Sequence, residues 1–258
     1  FAAQQIPADA EWSDAIARDD GDTAAFKPEW LPFDHPIWIV YSSGTTGLPK
    51  PIVHGQGGIL LTMYACGLHH DLGPSYGANN FGERYHWYSS TGWVMWNSQL
   101  SGLAIGTTVC IYDGNPAGSK EKPDWSVLWR FVARHQVTFF GAGAAYFANC
   151  MKAGLEGKAC GDLSRVRALG STGSPLSEEV QRWGTAQLRD AGAPGVWWYN
   201  ISGGTDFCGT FVGGNRELPE VPGQMQCRFL GAAVEAWNEQ GQPVIGEVGE
   251  LVCTQPIP

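Results

Sequence analysis

The segment YSSGTTGLPK, which runs from Tyr41 to Lys50, combines residue types that bind phosphate groups. Its glycines leave the backbone bare enough for a ligand to approach, its hydroxyls and backbone N–H groups can donate hydrogen bonds, and its lysine adds positive charge. The spacing differs from the GxxxxGK[ST] loop of kinase-type proteins, because Gly44 and Gly47 are three positions apart and Lys50 follows a proline. We therefore predict a phosphate-binding loop of another kind; the alternative is a flexible polar loop between a strand and a helix. The predicted loop residues are Ser42, Ser43, Gly44, Thr45, Thr46, Gly47 and Lys50.

Alternating strand and helix patterns predict the elements that would position this loop. The apolar run IWIV before it predicts a buried strand, and the helical spacing of GGILLTMYACGLHH after it predicts a helix, as in an α/β unit. The same alternation returns further along the chain, with a helix cap predicted at Asp124. From GQMQCRF onwards the pattern changes to short β runs with Asn, Gly and Pro turns. The predicted fold class is α/β, with β-sheets flanked by helices and a β-rich C-terminal end.

The bulk composition narrows the class of protein. The chain has 258 residues, of which 43% are hydrophobic and 16% are charged, as in an ordinary water-soluble globular protein. Its net charge of −9 disfavours non-specific binding to nucleic acid, so an anionic ligand must be held by local groups. The apolar stretches are shorter than the ~20 residues of a membrane-spanning helix. The seven cysteines include no CxxC pair, which predicts reduced thiols in the cytoplasm instead of disulfides or a zinc site.

Several segments, in order along the chain, resemble those of one enzyme family. YSSGTTGLPKPIVHG resembles the phosphate-loop signature of the adenylate-forming enzymes, which include acyl-CoA synthetases, peptide-synthetase adenylation domains and luciferases. LGSTGSPLS resembles the segment that lies along adenine, and ISGGTDFCG resembles the motif that faces the nucleotide phosphates and magnesium. STGWVMWN and GAAVEAWNEQGQPV resemble most the acetoacetate-activating branch of the family. The resemblance extends from about Trp30 to the last residue.

The resemblance implies nucleotide-binding roles for two turns of small residues. A flat purine would lie along the glycines of GSTGSPL, although the same residues could form a plain connection in which Ser177 caps a helix. Thr205 would touch the α-phosphate, and Asp206 would bind Mg²⁺, which prefers oxygen ligands shared with phosphates; the alternative is that Asp206 caps its own turn. Most family members carry glutamate at that position, so Asp206 departs from the wider pattern and fits the acetoacetate branch. The predicted catalytic residues are Lys50, Thr205 and Asp206, and the nucleotide-binding residues beyond the loop are Gly173, Ser174, Pro175, Asn200, Ser202, Gly203, Gly204 and Thr205.

The resemblance also implies an acyl pocket. Trp93, Val94 and Met95 would face the acyl group, and Asn97 would donate a hydrogen bond to the keto oxygen; the alternative is an aromatic core segment. Acetate-activating relatives carry a tryptophan where this chain has Gly203, and that ring closes their pocket. The glycine would therefore open room for a four-carbon β-keto acid.

The implied reaction joins an acid to a thiol in two steps. The carboxylate of acetoacetate attacks the α-phosphate of ATP to give an acyl-adenylate and pyrophosphate, and the thiol of coenzyme A then displaces AMP. Mg²⁺ is the implied metal. The reaction requires no side-chain nucleophile, and none of the histidines is predicted to be a catalyst. No nucleic acid or membrane is an expected partner. Two alternatives stay open: an acetyl-, propionyl- or other short-chain acyl-CoA synthetase, and a nucleotide-binding homologue without catalysis.

Both ends of the chain suggest a piece of a longer protein. Residues 1–35 are predicted to be a linker and helical lead-in, residues 36–225 the nucleotide- and acyl-binding core, and residues 226–258 the start of a β-rich subdomain. In the family, the ribose-binding aspartate, the hinge and a C-terminal catalytic lysine lie further along. The resemblance therefore implies that this chain alone is inactive.

Overall fold

The computed structural model describes residues 27–42, 49–73 and 82–257. The chain divides into two units, residues 1–32 and residues 33–258, and the described residues 27–32 of the first unit form no regular element. The helices of the second unit are α1 (Gln56–His69), α2 (Val94–Leu100), α3 (Val127–Arg134), α4 (Ala144–Lys152) and α5 (Glu178–Asp190), with 3₁₀ turns at Ser101–Ile105 and Gly157–Ala159. The strands are β1 (Pro36–Ser42), β2 (Lys50–Gly55), β3 (Arg84–Trp87), β4 (Thr108–Val109), β5 (Phe139–Gly143), β6 (Ala168–Thr172), β7 (Trp197–Asn200), β8 (Ser202–Gly204), β9 (Gly209–Gly213), β10 (Cys227–Arg228), β11 (Val234–Trp237), β12 (Pro243–Val244) and β13 (Glu250–Cys253).

The second unit is built on a parallel sheet of five strands in the order β4-β3-β5-β6-β7. One face of the sheet packs against apolar side chains of α3, α4 and α5, and the other face packs against the start of α2. A parallel strand that is covered on both faces reads as a continuous apolar run instead of an alternation. This explains the sequences FFGAG and WWYN of β5 and β7, and the α/β fold class is confirmed.

The indole of Trp87 fixes the packing beneath the carboxyl edge of this sheet. Trp87 is 1% exposed, and it stands in register with Gly141 of β5, which in turn pairs with Gly170 of β6. A Cβ atom added at either glycine would collide with the indole ring. The two glycines are therefore required by the close approach of the ring, because any side chain would occupy the same volume.

The segment around the predicted phosphate loop differs from the expectation. β1 is a strand, but among the described residues it pairs only with β2, in an antiparallel two-stranded sheet, and α1 begins after β2. The prediction of a buried strand is wrong because this ribbon has an open face, on which Ile37, Ile39 and Tyr41 are exposed. Pro51 lies within β2, and proline is tolerated there because both strands of a two-stranded sheet are edge strands. The predicted strand–loop–helix unit is therefore a hairpin followed by a helix.

Two helix starts bear on capping: Ser177, named as the alternative for the segment GSTGSPL, caps α5, whereas Asp124 is not the N-cap of α3. At α5 the Ser177 hydroxyl oxygen accepts a hydrogen bond of 3.3 Å from the backbone N–H of Val180, and two glutamates occupy the first turn. At α3 the N-cap is Ser126, so the cap predicted at Asp124 is wrong. The Asp124 carboxylate instead accepts the backbone N–H of Ser126 at 3.0 Å and pairs with Arg130 at 2.8 Å. These bonds hold Asp124 in a turn before the helix.

Short antiparallel sheets follow the parallel sheet along the chain. They have the strand orders β10-β9-β8 and β12-β11-β13, which confirms the predicted β-rich C-terminal end. His69, the last residue of α1, ties that helix to this region: its Nδ1–H donates to the Gly214 carbonyl at 2.8 Å, and its Nε2 accepts the Leu230 N–H at 3.1 Å. The subdomain boundary at residue 226 stays a prediction.

Candidate functional site

Two cavities meet at the carboxyl edge of the parallel sheet. The smaller cavity has a volume of about 140 Å³ and is lined by residues of α1, α2 and the β8–β9 turn. The larger cavity has a volume of about 280 Å³ and lies over the ends of β6 and β7. They share a wall formed by Thr172, Gly173, Ile201 and Gly203, in which the Thr172 hydroxyl donates to the Ile201 carbonyl at 2.9 Å. The two cavities are therefore adjacent parts of one site.

Small residues line the larger cavity, and two of the lining residues carry a buried polar atom. Gly173 has a φ of +88°, a conformation that favours glycine, and the wall continues through Ser174 and Pro175. Within the described part of the chain, Ser171 Oγ and Asn200 Oδ1 are buried and have no hydrogen-bond partner. The two residues face each other in the register of β6 and β7. Because buried polar groups are normally hydrogen-bonded, this cavity suits a flat ligand with a polar edge.

The smaller cavity is mainly apolar. Trp93, Val94 and Met95 line it, and the Trp93 ring also approaches Gly173, where an added Cβ would lie 3.6 Å from the indole. Asn97 does not line it, so the hydrogen bond to a substrate oxygen predicted for that residue has no support in this geometry. Asn97 lies on α2, and the next residue, Ser98, is in the cavity wall instead.

His70 contributes a buried polar group to the smaller cavity. Its side chain is 2% exposed, and its Nδ1–H donates to the Cys66 carbonyl at 2.6 Å. Burial lowers the pKa of His70 to about 3, so the ring is neutral at pH 7. Its second nitrogen, Nε2, therefore carries a lone pair, and it is buried without a partner among the described residues.

Gly203 lies in the walls of both cavities, but the structure gives a different reason for this glycine from the one expected. A Cβ atom at Gly203 would collide with the carbonyl oxygen of Gly209 and would lie 3.1 Å from the Cα atom of Thr210. Both atoms belong to the backbone of β9, which pairs with β8 through a register shift between Ser202 and Gly203. On this backbone a side chain would point into β9, so the glycine permits the strand pairing.

Thr205 and Asp206 form the start of the turn between β8 and β9. Thr205 lines the smaller cavity next to Gly204, and Asp206 is exposed. The Nε2–H of His54, on β2, donates to the Thr205 carbonyl at 3.0 Å. This bond links the hairpin that carries Lys50 to the turn that carries Asp206. His54 is thus a contact of the site, which was not expected from the sequence.

The predicted phosphate loop is described only at its two ends. Ser42 ends β1, and it pairs in register with Lys50, the exposed first residue of β2. The loop predictions at Ser43, Gly44, Thr45, Thr46 and Gly47 lie outside the described residues.

Two thiols line the smaller cavity without the properties of nucleophiles. Burial raises the pKa of Cys66 to about 12 and that of Cys208 to about 12, so both are protonated at neutral pH. All seven cysteines are free thiols. Within the described ranges, no cluster of three histidine, cysteine, aspartate or glutamate residues could hold a metal ion, and no helix is long and apolar enough to cross a membrane.

Comparison with known families identifies the family of this chain. Residues 2–257 match the family described as AMP-binding enzyme. The chain belongs to this family. The match covers both cavities, the hairpin and the β-rich C-terminal end of this AMP-binding enzyme.

Relatives of this member of the AMP-binding family include acetoacetyl-CoA synthetases. The chain is 43% identical over 235 residues to the acetoacetyl-coenzyme A synthetase of Rhizobium meliloti, and this match covers 89% of the chain and 33% of the relative. It is 39% identical over 255 residues to the acetoacetyl-CoA synthetase of Gallus gallus, covering 98% of this chain and 36% of the relative. The solved structure of an acetoacetyl-CoA synthetase from Streptomyces lividans matches with a TM-score of 0.78 and 45% identity, over 89% of this chain and 34% of that one. The chain thus spans about a third of the length of these relatives.

Two residues, one in the wall of the site and one behind Asn200, have no recognisable sequence signal. His70 is one of two adjacent histidines without partners at metal-ligand spacing, and only the fold brings its ring to the cavity. Gln181 looks like a surface residue of an amphipathic helix, yet it is fully buried and donates to Glu220 at 2.8 Å. Contacts between residues this far apart depend on the order of the strands in the sheet, which local patterns do not encode.

Proposed function

We propose that the whole protein to which this chain belongs activates acetoacetate with ATP and joins it to coenzyme A, as an AMP-forming acid–thiol ligase. The observation that carries the proposal is a pair of adjoining cavities that share a wall at Gly173 and Gly203. One is small and apolar, and the other is lined by Asn200, whose buried oxygen has no partner among the residues that the structure describes. The similarity to acetoacetyl-CoA synthetases over most of the chain supports the choice of acid.

In this proposal the larger cavity binds the nucleotide. Asn200 Oδ1 is an acceptor, which suits the 6-amino group of adenine, and the bare backbone at Gly173 leaves a flat surface for the ring. Thr205 is the donor to the α-phosphate, and Lys50 with the loop before it holds the outgoing pyrophosphate. Asp206 is an exposed carboxylate beside Thr205, and its oxygen atoms suit Mg²⁺, which neutralises phosphate charge when bound.

The smaller cavity binds the acyl chain against Trp93, Val94 and Met95, with the carboxylate towards the shared wall. A carboxylate oxygen attacks the α-phosphorus, and the bond from phosphorus to the bridging oxygen breaks to release pyrophosphate. The thiol of coenzyme A then loses its proton and attacks the acyl carbon, and AMP leaves with the electron pair of the broken C–O bond. The residues of this chain contribute positioning and charge stabilisation, which suits a site whose thiols are protonated.

Acid-dependent exchange of labelled pyrophosphate into ATP, measured on the intact protein, tests this proposal. We expect exchange with acetoacetate to exceed exchange with acetate or propionate by about tenfold or more, and product thioester to appear only with coenzyme A. A preference for acetate or propionate would favour a different short-chain ligase. Binding of MgATP without exchange for any of the acids would favour a non-catalytic homologue. The free thiols support a reducing compartment, and we propose the cytoplasm.

A further inference from the structure

A chain of three polar side chains ends at Asn200, which lines the larger cavity and whose oxygen has no partner in the described part of the chain. Gln181, on α5, donates its Nε2–H to Glu220 Oε1 at 2.8 Å, and Asn200 Nδ2 donates to Gln181 Oε1 at 3.0 Å. Two backbone groups join the chain: the Trp198 N–H donates to Glu220 Oε2 at 2.8 Å, and the Gly223 N–H donates to Gln181 Oε1 at 2.8 Å. Gln181 is 0% exposed and Asn200 is 9% exposed, so water competes little for these bonds.

The donor and acceptor types fix the orientation of both amides. The Glu220 carboxylate only accepts hydrogen bonds, so the NH₂ group of Gln181 must face it. The oxygen of Gln181 then faces two donors, the Gly223 N–H and the NH₂ group of Asn200. Asn200 consequently turns its oxygen away from Gln181; Asn200 lines the cavity, and this buried oxygen has no partner among the described residues. The orientation at Asn200 is thus set by a carboxylate two residues away in the chain of bonds.

We propose that Glu220 and Gln181 are positioning residues that select a 6-aminopurine by holding the Asn200 amide with its oxygen towards the nucleotide cavity. This inference rests on the proposed function, because it takes the purine to lie in the larger cavity. A 6-amino group donates to the Asn200 oxygen, whereas a 6-oxo group, as in inosine or guanosine nucleotides, faces it with a second acceptor. The neighbouring Ser171 hydroxyl both donates and accepts, so it does not distinguish the two bases.

The hydrogen-bonded chain Glu220–Gln181–Asn200 is called the relay below. The substitution Glu220→Gln tests it by offering one acceptor oxygen where two donors need one each. Where the Trp198 N–H keeps the single amide oxygen, the new NH₂ group faces the NH₂ group of Gln181. Turning the Gln181 amide over relieves this contact but takes the acceptor from the Gly223 N–H, so Gln181 is no longer held in one orientation. The Asn200 amide consequently loses its fixed orientation, and a share of the molecules present its NH₂ group to the cavity. We expect the ratio of kcat/KM for ATP to kcat/KM for ITP, measured on the intact protein with acetoacetate, to fall about tenfold to a hundredfold. We expect Glu220→Asp, which keeps a carboxylate, to restore most of the ratio.

Gln181→Met removes both amide bonds at similar volume and provides a second variant if Glu220→Gln fails to fold. Its matched control is Gln187→Met, on the same helix, because the Gln187 side chain binds the Gly157 N–H and no residue of the cavity. We expect Gln181→Met to lower the ATP to ITP ratio and Gln187→Met to leave it unchanged. Equal losses with ATP and ITP in Glu220→Gln and Gln181→Met would overturn the relay and leave only a structural role.

Calorimetric binding of ATP and ITP separates this inference from the proposed function. If the wild-type protein activates no acid but still binds ATP more tightly than ITP, and Glu220→Gln reverses or abolishes that preference, the function fails and the relay stands. Equal binding of ATP and ITP by the wild-type protein overturns the relay even if acetoacetate is activated.

Discussion

The substitution Gly203→Ala tests whether this glycine serves the strand pairing or the size of the acyl pocket. The added methyl group would collide with the Gly209 carbonyl oxygen and press on Thr210, both of which belong to the β9 backbone. Backbone atoms cannot move aside as a flexible side chain can, so β8 and β9 must separate. Forced overpacking of this kind costs about 1–3 kcal/mol. We expect the free energy of unfolding of the intact protein, measured in urea, to fall by that amount.

The same shift should damage catalysis without changing the choice of acid. Gly203 lies in the walls of both cavities, so movement of β8 displaces the acyl site and the nucleotide site together. A displacement of about 1 Å in a reacting site costs about a hundredfold in rate. We expect kcat/KM in the pyrophosphate exchange assay to fall between about tenfold and a hundredfold for acetoacetate and acetate alike.

Gly195→Ala is the matched control, because a Cβ at this exposed glycine meets no atom within 4 Å. It should leave both the unfolding free energy and the exchange rates unchanged. If Gly203→Ala were as stable as the wild type and gained activity with acetate while losing it with acetoacetate, the geometric reasoning would be refuted. The idea that the missing side chain sets the pocket size would then be correct.

Three further outcomes follow from single contacts. His54→Phe should lower kcat/KM about fivefold, because it removes a hydrogen bond to Thr205 worth about 1 kcal/mol. His54→Gln should recover part of the loss, and equal activity of all three proteins would show that the bond does not position the turn. Ser177→Ala should lower the unfolding free energy by about 1 kcal/mol in urea titrations through loss of a helix cap, and an unchanged midpoint would contradict this. Burial lowers the pKa of His70 to about 3 and that of His86 to about 4, so between pH 6.5 and 4 the unfolded chain binds more protons than the folded chain. As the pH is lowered through this range, the unfolding free energy should fall by up to about 1.4 kcal/mol per pH unit for each histidine. An unchanged dependence of the unfolding free energy on pH in His86→Phe would count against this.

Residues that turn the chain at strand ends were the part of the site that the sequence revealed best. Ser174 and Pro175 follow β6, and Ser202 follows β7, and the parallel register brings these ends side by side around one cavity. Small residues, glycine and proline mark such ends locally, so their types can be recognised without the fold. The family resemblance then supplied roles for them, which stay predictions.

Features that depend on pairing between distant segments could not be predicted in the same way. The sequence of β1 does not show that its partner is β2 instead of the parallel sheet, so its exposed face was missed. The role of Gly203 depends on the backbone of β9, and the position of Asn97 depends on how α2 faces the cavity. In each case the side-chain type was informative, but the direction in which it points is a property of the tertiary structure.

The volume beneath the carboxyl edge of the sheet is shared among three strands, because the indole of Trp87 occupies the space that side chains at Gly141 and Gly170 would need. These three positions therefore act as a single packing unit. A larger residue at either glycine is compatible with folding only if a smaller residue replaces Trp87 at the same time. In aligned homologues the residues at positions 87, 141 and 170 should co-vary, so that a larger side chain on one strand accompanies a smaller one on its neighbour. A redesign that aims to deepen the site from below must accordingly change the trio together.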